Sequence, residues 1–177
     1  MLDIEKMREY IEHRQYAKIR SEIVEMNEAD IAAMLEELDL PGPELIQVFR
    51  MLPKTIAADV FSFLSIELEQ TIITMLTDRE AATIIDNLFA DDAADLMEEM
   101  PANVVKRLLA QTTAETRRDI NHLLQYPEDS AGSIMTVEFV DLKEDYTVAQ
   151  AIERIRKVGI DKETINTCYV TNQYRKI

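Results

Sequence analysis

Along residues 3–125 apolar side chains recur at three- and four-residue intervals in short blocks, as in Ile31, Met34, Leu35 and Leu38 or Val60, Phe61 and Leu64. That period puts the apolar residues of each block on one face of an α-helix. The breaks carry start and stop chemistry. Pro41-Gly42-Pro43 ends one helix, Pro53 and Pro101 suit the starts of others, and Asn27, Ser65, Thr77 and Thr112 suit N-caps. Thr77 with Glu80 and Thr112 with Glu115 stand at capping-box spacing.

Four blocks resemble one another: ADIAAMLEEL at 29–38, AADVFSFL at 57–64, EAATIIDNL at 80–88 and DAADLMEEM at 92–100. Small residues open each block and larger apolar ones close it. Short helices that cannot each bury a face alone are expected to stack as a solenoid-like superhelix, with a compact irregular bundle as the alternative.

The pattern changes near residue 126. Tyr126-Pro127 ends the last helix, because the residue before proline is pushed out of the α region, and Gly132 follows. A strand-like VEFVDL at 137–142 comes next, then an amphipathic helix, VAQAIERIRKV at 148–158, capped by Thr147 and stopped by Gly159. A β-branched run from Ile165 to Thr171 closes the series. The expected fold is mainly α: an N-terminal superhelix of short stacked α-helices, then a partial α/β unit in strand–helix–strand order.

Composition agrees with helix. The 177 residues are 47% apolar, with 3 Gly and no Trp, enough for one domain and a smaller second one. Charge narrows the function. Against 19 Lys and Arg stand 34 Asp and Glu, a formal charge of −15, which repels phosphate backbones and argues against a nucleic-acid partner. The same field concentrates cations, so hydrated Mg²⁺ or Ca²⁺, or a basic protein, are natural counterparts.

The one cysteine, Cys168, cannot close an internal disulfide and reads as a small buried hydrophobe in a strand of a reduced, cytosolic protein. The charged first residues lack the apolar core of a signal peptide, and no stretch reaches the roughly 20 apolar residues that span a bilayer. The 9 Met read as core filling, His13 and His122 as surface residues without a ligand partner, and Glu36, Glu37, Glu98 and Glu99 as solvated helix faces. No phosphate loop, nucleophile elbow or His–carboxylate pairing supports an enzyme.

Asp91 and Asp95 stand four apart, on one face of a helix. At roughly 6 Å and an effective dielectric near 20, two such charges repel by about 3 kcal/mol before water and salt reduce it. A divalent cation reverses that sign, and hard, partly hydrated oxygen sites suit Mg²⁺ better than Zn²⁺. The spacing alone fits capping better: Asp91 is placed to be an N-cap, and Asp92 and Asp95 to favour the positive end of the helix dipole. A capping carboxylate still has a second oxygen free, so both roles stay open.

The stretch LLQYPEDSAGSIMTVEFVDLKEDYTVAQAIERIRK, 123–157, is similar to the junction in MgtE-type magnesium transporters where a helical N domain meets the first CBS domain. Tyr126, Glu128, Asp129, Ala131, Gly132, Met135 and Thr136 carry the match, and FADDAADLMEEMP at 89–101 resembles the family's DD-x-x-D element. The resemblance implies an acidic helical N-terminal domain at 1–126, a junction at 127–135 and an incomplete first CBS domain at 136–177. It also implies a second CBS domain and a transmembrane pore outside this chain, homodimerisation of the full-length protein, and a place at the cytoplasmic face of the membrane.

By the same resemblance Asp59, Asp91 and Asp95 match positions that hold Mg²⁺, the implied cofactor, against the CBS domains. Asp59 is shorter than the Glu expected at its position. The implied mechanism is a switch: bound Mg²⁺ holds the acidic domains together and closes the pore, and its loss lets them separate. The competing readings are an armadillo-like helical interaction scaffold, as in flagellar motor switch proteins, and a nucleotide-binding CBS regulator.

Overall fold

The computed structural model describes residues 4–127, 130–174 and 176. Glu128 and Asp129 of the junction motif therefore lie outside the described residues. The chain divides into two compact units, Met1–Leu88 with Asp95–Arg118, and Phe89–Ala94 with Asp119–Ile177.

The first unit is built from α1 (Ile4–Glu12), α2 (Tyr16–Ile23), α3 (Glu28–Leu38), α4 (Gly42–Phe49), α5 (Ala57–Ser62), α6 (Ile66–Met75), α7 (Asp78–Ile85) and α9 (Ala102–Leu109), with parts of α8 (Ala90–Glu98) and α10 (Ala114–Leu123). Odd-numbered helices pack on one another, α1 on α3, α3 on α5, α5 on α7 and α7 on α9, while α4 packs on α6. The chain thus rises through two layers of stacked short helices, the expected array. Its core is the apolar face read from the spacing: Ile31, Leu35 and Leu38 of α3, Val60 and Phe61 of α5, and Ala81 and Ile85 of α7 are buried. Phe49 and Phe61 meet edge to face, with ring centroids 6.2 Å apart.

Polar bridges join successive layers at a regular sequence interval. The Glu36 carboxylate accepts the Ser65 N–H at 2.6 Å across 29 residues, Gln70 donates to the Glu99 carbonyl at 3.0 Å across 29, and Asp86 accepts the Thr113 N–H at 2.8 Å across 27. Arg50 donates to both Glu80 oxygens, at 3.1 and 2.9 Å, across 30. Two helices and their turns therefore make one structural repeat. Glu36 departs from the solvated role expected of it: it is half-buried and holds the N-cap residue of α6.

The local signals held where they act within a few residues. Asn27 caps α3 through its side chain, and Thr77–Glu80 forms a complete capping box on α7. Three differ. The α3 stop is Asp39, in the left-handed region at φ 47°, and Pro41-Gly42-Pro43 instead opens α4. Pro53 begins a turn, its carbonyl accepting from Ile56, and α5 starts only at Ala57. Thr112 is buried and donates to the Leu109 carbonyl, while Thr113 accepts from the Thr116 N–H at the start of α10, so the cap lies one residue on.

The second unit contains β1 (Phe139–Lys143), α11 (Val148–Val158), a 3₁₀ turn (Gly159–Asp161) and β2 (Thr164–Thr171). The strands are parallel, in register from Val140 opposite Cys168 to Lys143 opposite Thr171. Thr147 and Gln150 form a capping box on α11. Cys168 is only half-buried, because β2 is covered on neither face as fully as a parallel strand usually is. Tyr126 lies against Gly132 so closely that a Cβ there would stand 2.2 Å from a ring carbon, which explains a glycine at this point of the junction. Among the described residues no helix is long and apolar enough to cross a membrane.

Candidate metal site

Helix α8 opens at Ala90, with the Phe89 carbonyl accepting from Ala93 at 3.0 Å. Asp91 is therefore inside the first turn instead of at the expected N-cap. The Ala90 N–H is taken by a distant carboxylate: Glu138 Oε1 accepts it at 3.1 Å. Glu138 is itself fixed, its N–H donating to Thr136 Oγ1 at 3.0 Å and its carbonyl accepting the Glu163 N–H at 3.1 Å.

This arrangement brings Asp91, Glu138 and Glu163 into one electrostatic neighbourhood within the second unit. Burial raises the Asp91 pKa to about 6, Glu163 adds to the rise, the Asp91 backbone N–H opposes it, and Asp92 and Glu138 add smaller contributions. Asp91 Oδ1 is enclosed and has no hydrogen-bond partner. An enclosed carboxylate oxygen without a donor, facing other acids, is unfavourable until a proton or a cation reaches it. Glu138 and Glu163 were not legible as part of a site, since nothing in their local spacing marks them and only the fold returns them to Asp91.

Asp95 and Asp59 belong to the first unit. Asp95 lies on the exposed side of α8, with its pKa raised by partial burial. Asp59 is in the first turn of α5, and partial burial followed by the nearby charge of Glu28 raises its pKa. The charged neighbour of Asp59 is thus Glu28, whereas those of Asp91 are Glu163, Asp92 and Glu138. Among the described residues no three His, Cys, Asp or Glu side chains are grouped to hold a metal ion. Sites of one or two carboxylates still suit Mg²⁺, which keeps several of its waters, and suit Zn²⁺ poorly.

Residues 2–129 match the family model described as MgtE intracellular N domain. Magnesium transporter MgtE of Thermus thermophilus is 31% identical over 171 residues, covering 94% of this chain and 37% of that protein. Magnesium transporter MgtE of Bacillus subtilis is 27% identical over 158 residues, covering 89% of this chain and 35% of that protein. The chain thus spans little more than a third of the length of these curated relatives. The crystal structure of the soluble part of a magnesium transporter superposes with a TM-score of 0.82 at 22% identity, over 97% of this chain and 68% of the other. The cytosolic domain of the Mg²⁺ channel MgtE, solved in complex with ATP, gives a TM-score of 0.77 at 33% identity, over 88% and 63%.

Proposed function

Because this chain belongs to the MgtE intracellular N domain family, we propose that it is the cytosolic Mg²⁺-sensing portion of a magnesium transporter, working as a binding module and not as an enzyme. Membership of this family removes the reason to read the helical array as a flagellar-type scaffold. The observation that supports sensing is Asp91, whose enclosed oxygen has no donor and whose charge is opposed by Glu163 and Glu138. A divalent cation with its waters supplies both the missing partner and the missing positive charge.

In this reading Asp59, Asp91 and Asp95 each offer a carboxylate to Mg²⁺ ions shared with acidic surfaces of the second CBS domain of the parent protein. High Mg²⁺ neutralises the repulsion between these surfaces, favours a compact form of the homodimer and closes a transmembrane pore. Falling Mg²⁺ releases them at the cytoplasmic face of the membrane. The switch requires differential affinity, since an ion that binds both forms equally moves neither, and several weak sites together supply the several kcal/mol needed.

Thermal melting of this chain in rising MgCl₂, against NaCl of equal ionic strength, tests the reading. The midpoint should rise with log[Mg²⁺] above the NaCl control, and the Mg²⁺-dependent increment should shrink in Asp91→Asn. Equal midpoints in the two salts would overturn it for sites within this chain.

A further inference from the structure

In the odd-numbered stack α5 has 6 residues, whereas its neighbours α3 and α7 have 11 and 8. Where α5 lacks a helical turn, the segment 53–56 passes as a turn and leaves a cleft of about 170 Å³. Buried Phe49, Leu52 and Ile84 give it an apolar floor, and exposed Arg50, Lys54 and Asn87, with half-buried Glu80, line it toward solvent as its mouth. An enclosed cavity of about 150 Å³ lined by Leu, Ile and Phe accommodates benzene, so this cleft has room for a single ring or a chain of about six carbons.

The mouth sets the polar end of the occupant. Arg50 is held in two hydrogen bonds by Glu80, which it keeps ionised by lowering the Glu80 pKa to about 2. That pair is neutral overall. Lys54 is exposed and takes part in none of the ion pairs among the described residues, so the mouth carries one positive charge without a salt-bridge partner there, on a chain of formal charge −15. One Asn87 amide hydrogen is used on the Thr83 carbonyl at 2.6 Å, and the second makes no hydrogen bond among the described residues. Apolar floor, single free cation and an available amide donor together match an anion with an apolar tail.

We propose that this cleft binds a small amphipathic monocarboxylate, its ring or chain on Phe49, Leu52 and Ile84 and its carboxylate at Lys54. Such a ligand bridges α4 and α7 across the short α5 and gives the helical stack a second input, separate from the carboxylates that face cations.

The probe is phenylacetate, titrated into the whole chain and followed by amide chemical shifts, with benzyl alcohol and benzylamine as neutral and cationic counterparts. Saturable shifts should centre on Leu52, Lys54, Ile84 and Asn87, with benzyl alcohol weaker by on the order of tenfold, the worth of one charge-assisted hydrogen bond, and benzylamine weaker still. Lys54→Met, at an exposed position, should weaken phenylacetate by a similar factor and leave benzyl alcohol unchanged. The proposal fails if millimolar phenylacetate gives no saturable shifts on a folded spectrum. It also fails if the shifts lie elsewhere, if benzyl alcohol binds as tightly, or if Lys54→Met binds phenylacetate like the parent.

Discussion

Glu138 accepts the backbone N–H of Ala90 at 3.1 Å, so a carboxylate 48 residues further along the chain caps the helix that presents Asp91. The same carboxylate also repels Asp91. Its two effects can be separated. Glu138→Gln keeps an acceptor for Ala90 and removes the charge, whereas Glu138→Ala removes both. Urea unfolding at pH 7 should find Glu138→Ala less stable than the parent by about 1 kcal/mol, the usual worth of a helix cap, and Glu138→Gln within about 0.5 kcal/mol of it. Equal losses in the two variants would show that the capping contact contributes nothing.

Asp91 gives stability an unusual pH dependence. Its pKa is raised from 3.8 to about 6 in the folded chain, so its ionised form is favoured more in the unfolded chain. The resulting penalty is complete above pH 6 and disappears as pH falls below 4. Asp91→Asn should therefore be more stable than the parent at pH 7 and converge with it near pH 4. A full shift of this size corresponds to about 3 kcal/mol, and solvent screening at this half-exposed group reduces the expected gain to about 1 kcal/mol. Glu80 runs the other way. Its pKa is lowered by Arg50, so its contribution is present above pH 4.5 and is lost toward pH 2.

The junction glycine is a packing requirement. A Cβ at Gly132 would meet Tyr126 ring carbons at 2.2 and 2.3 Å, well inside contact distance. Gly132→Ala should cost about 2 kcal/mol in a melting or urea experiment, and most of that cost should vanish in a Tyr126→Ala background. A cost that persists without the ring would place the constraint in the backbone instead.

The bridges between layers should differ in worth by burial and not by number of bonds. Glu36 makes one half-buried bond to the Ser65 N–H, and Arg50 makes two exposed ones to Glu80. Glu36→Ala strands a backbone donor and should cost about 1–2 kcal/mol, while Arg50→Met should cost under about 1 kcal/mol. The urea midpoints of the two variants decide the order.

These positions also mark where sequence was informative. Asn27, Thr77 and Thr147 were readable as caps because their partners lie three residues away, and the buried faces of α3, α5 and α7 were readable from period alone. Glu36 reads as a solvent-facing acid, and nothing local marks Asp86 or Glu138, because the backbone donors these three hold are 27 to 48 residues distant. Asp39 is not legible as a helix stop, because a left-handed Asp is uncommon and the Pro-Gly-Pro beside it is a sufficient stop by itself. For Asp91 the spacing to Asp95 fits capping better and only the resemblance implies a metal role, whereas the fold singles it out by its enclosed oxygen and its acidic neighbours.

The pKa of the Asp91 carboxyl carbon, followed by NMR in NaCl and in MgCl₂ of equal ionic strength, tests the sensing account most directly. Without Mg²⁺ it should titrate near 6, because burial and Glu163 disfavour its charge. With saturating Mg²⁺ the cation favours the ionised form, and the pKa should fall by a unit or more, toward the ordinary range of about 4. The same titration curve in both salts, on a folded chain, would contradict a role for Asp91 in holding Mg²⁺.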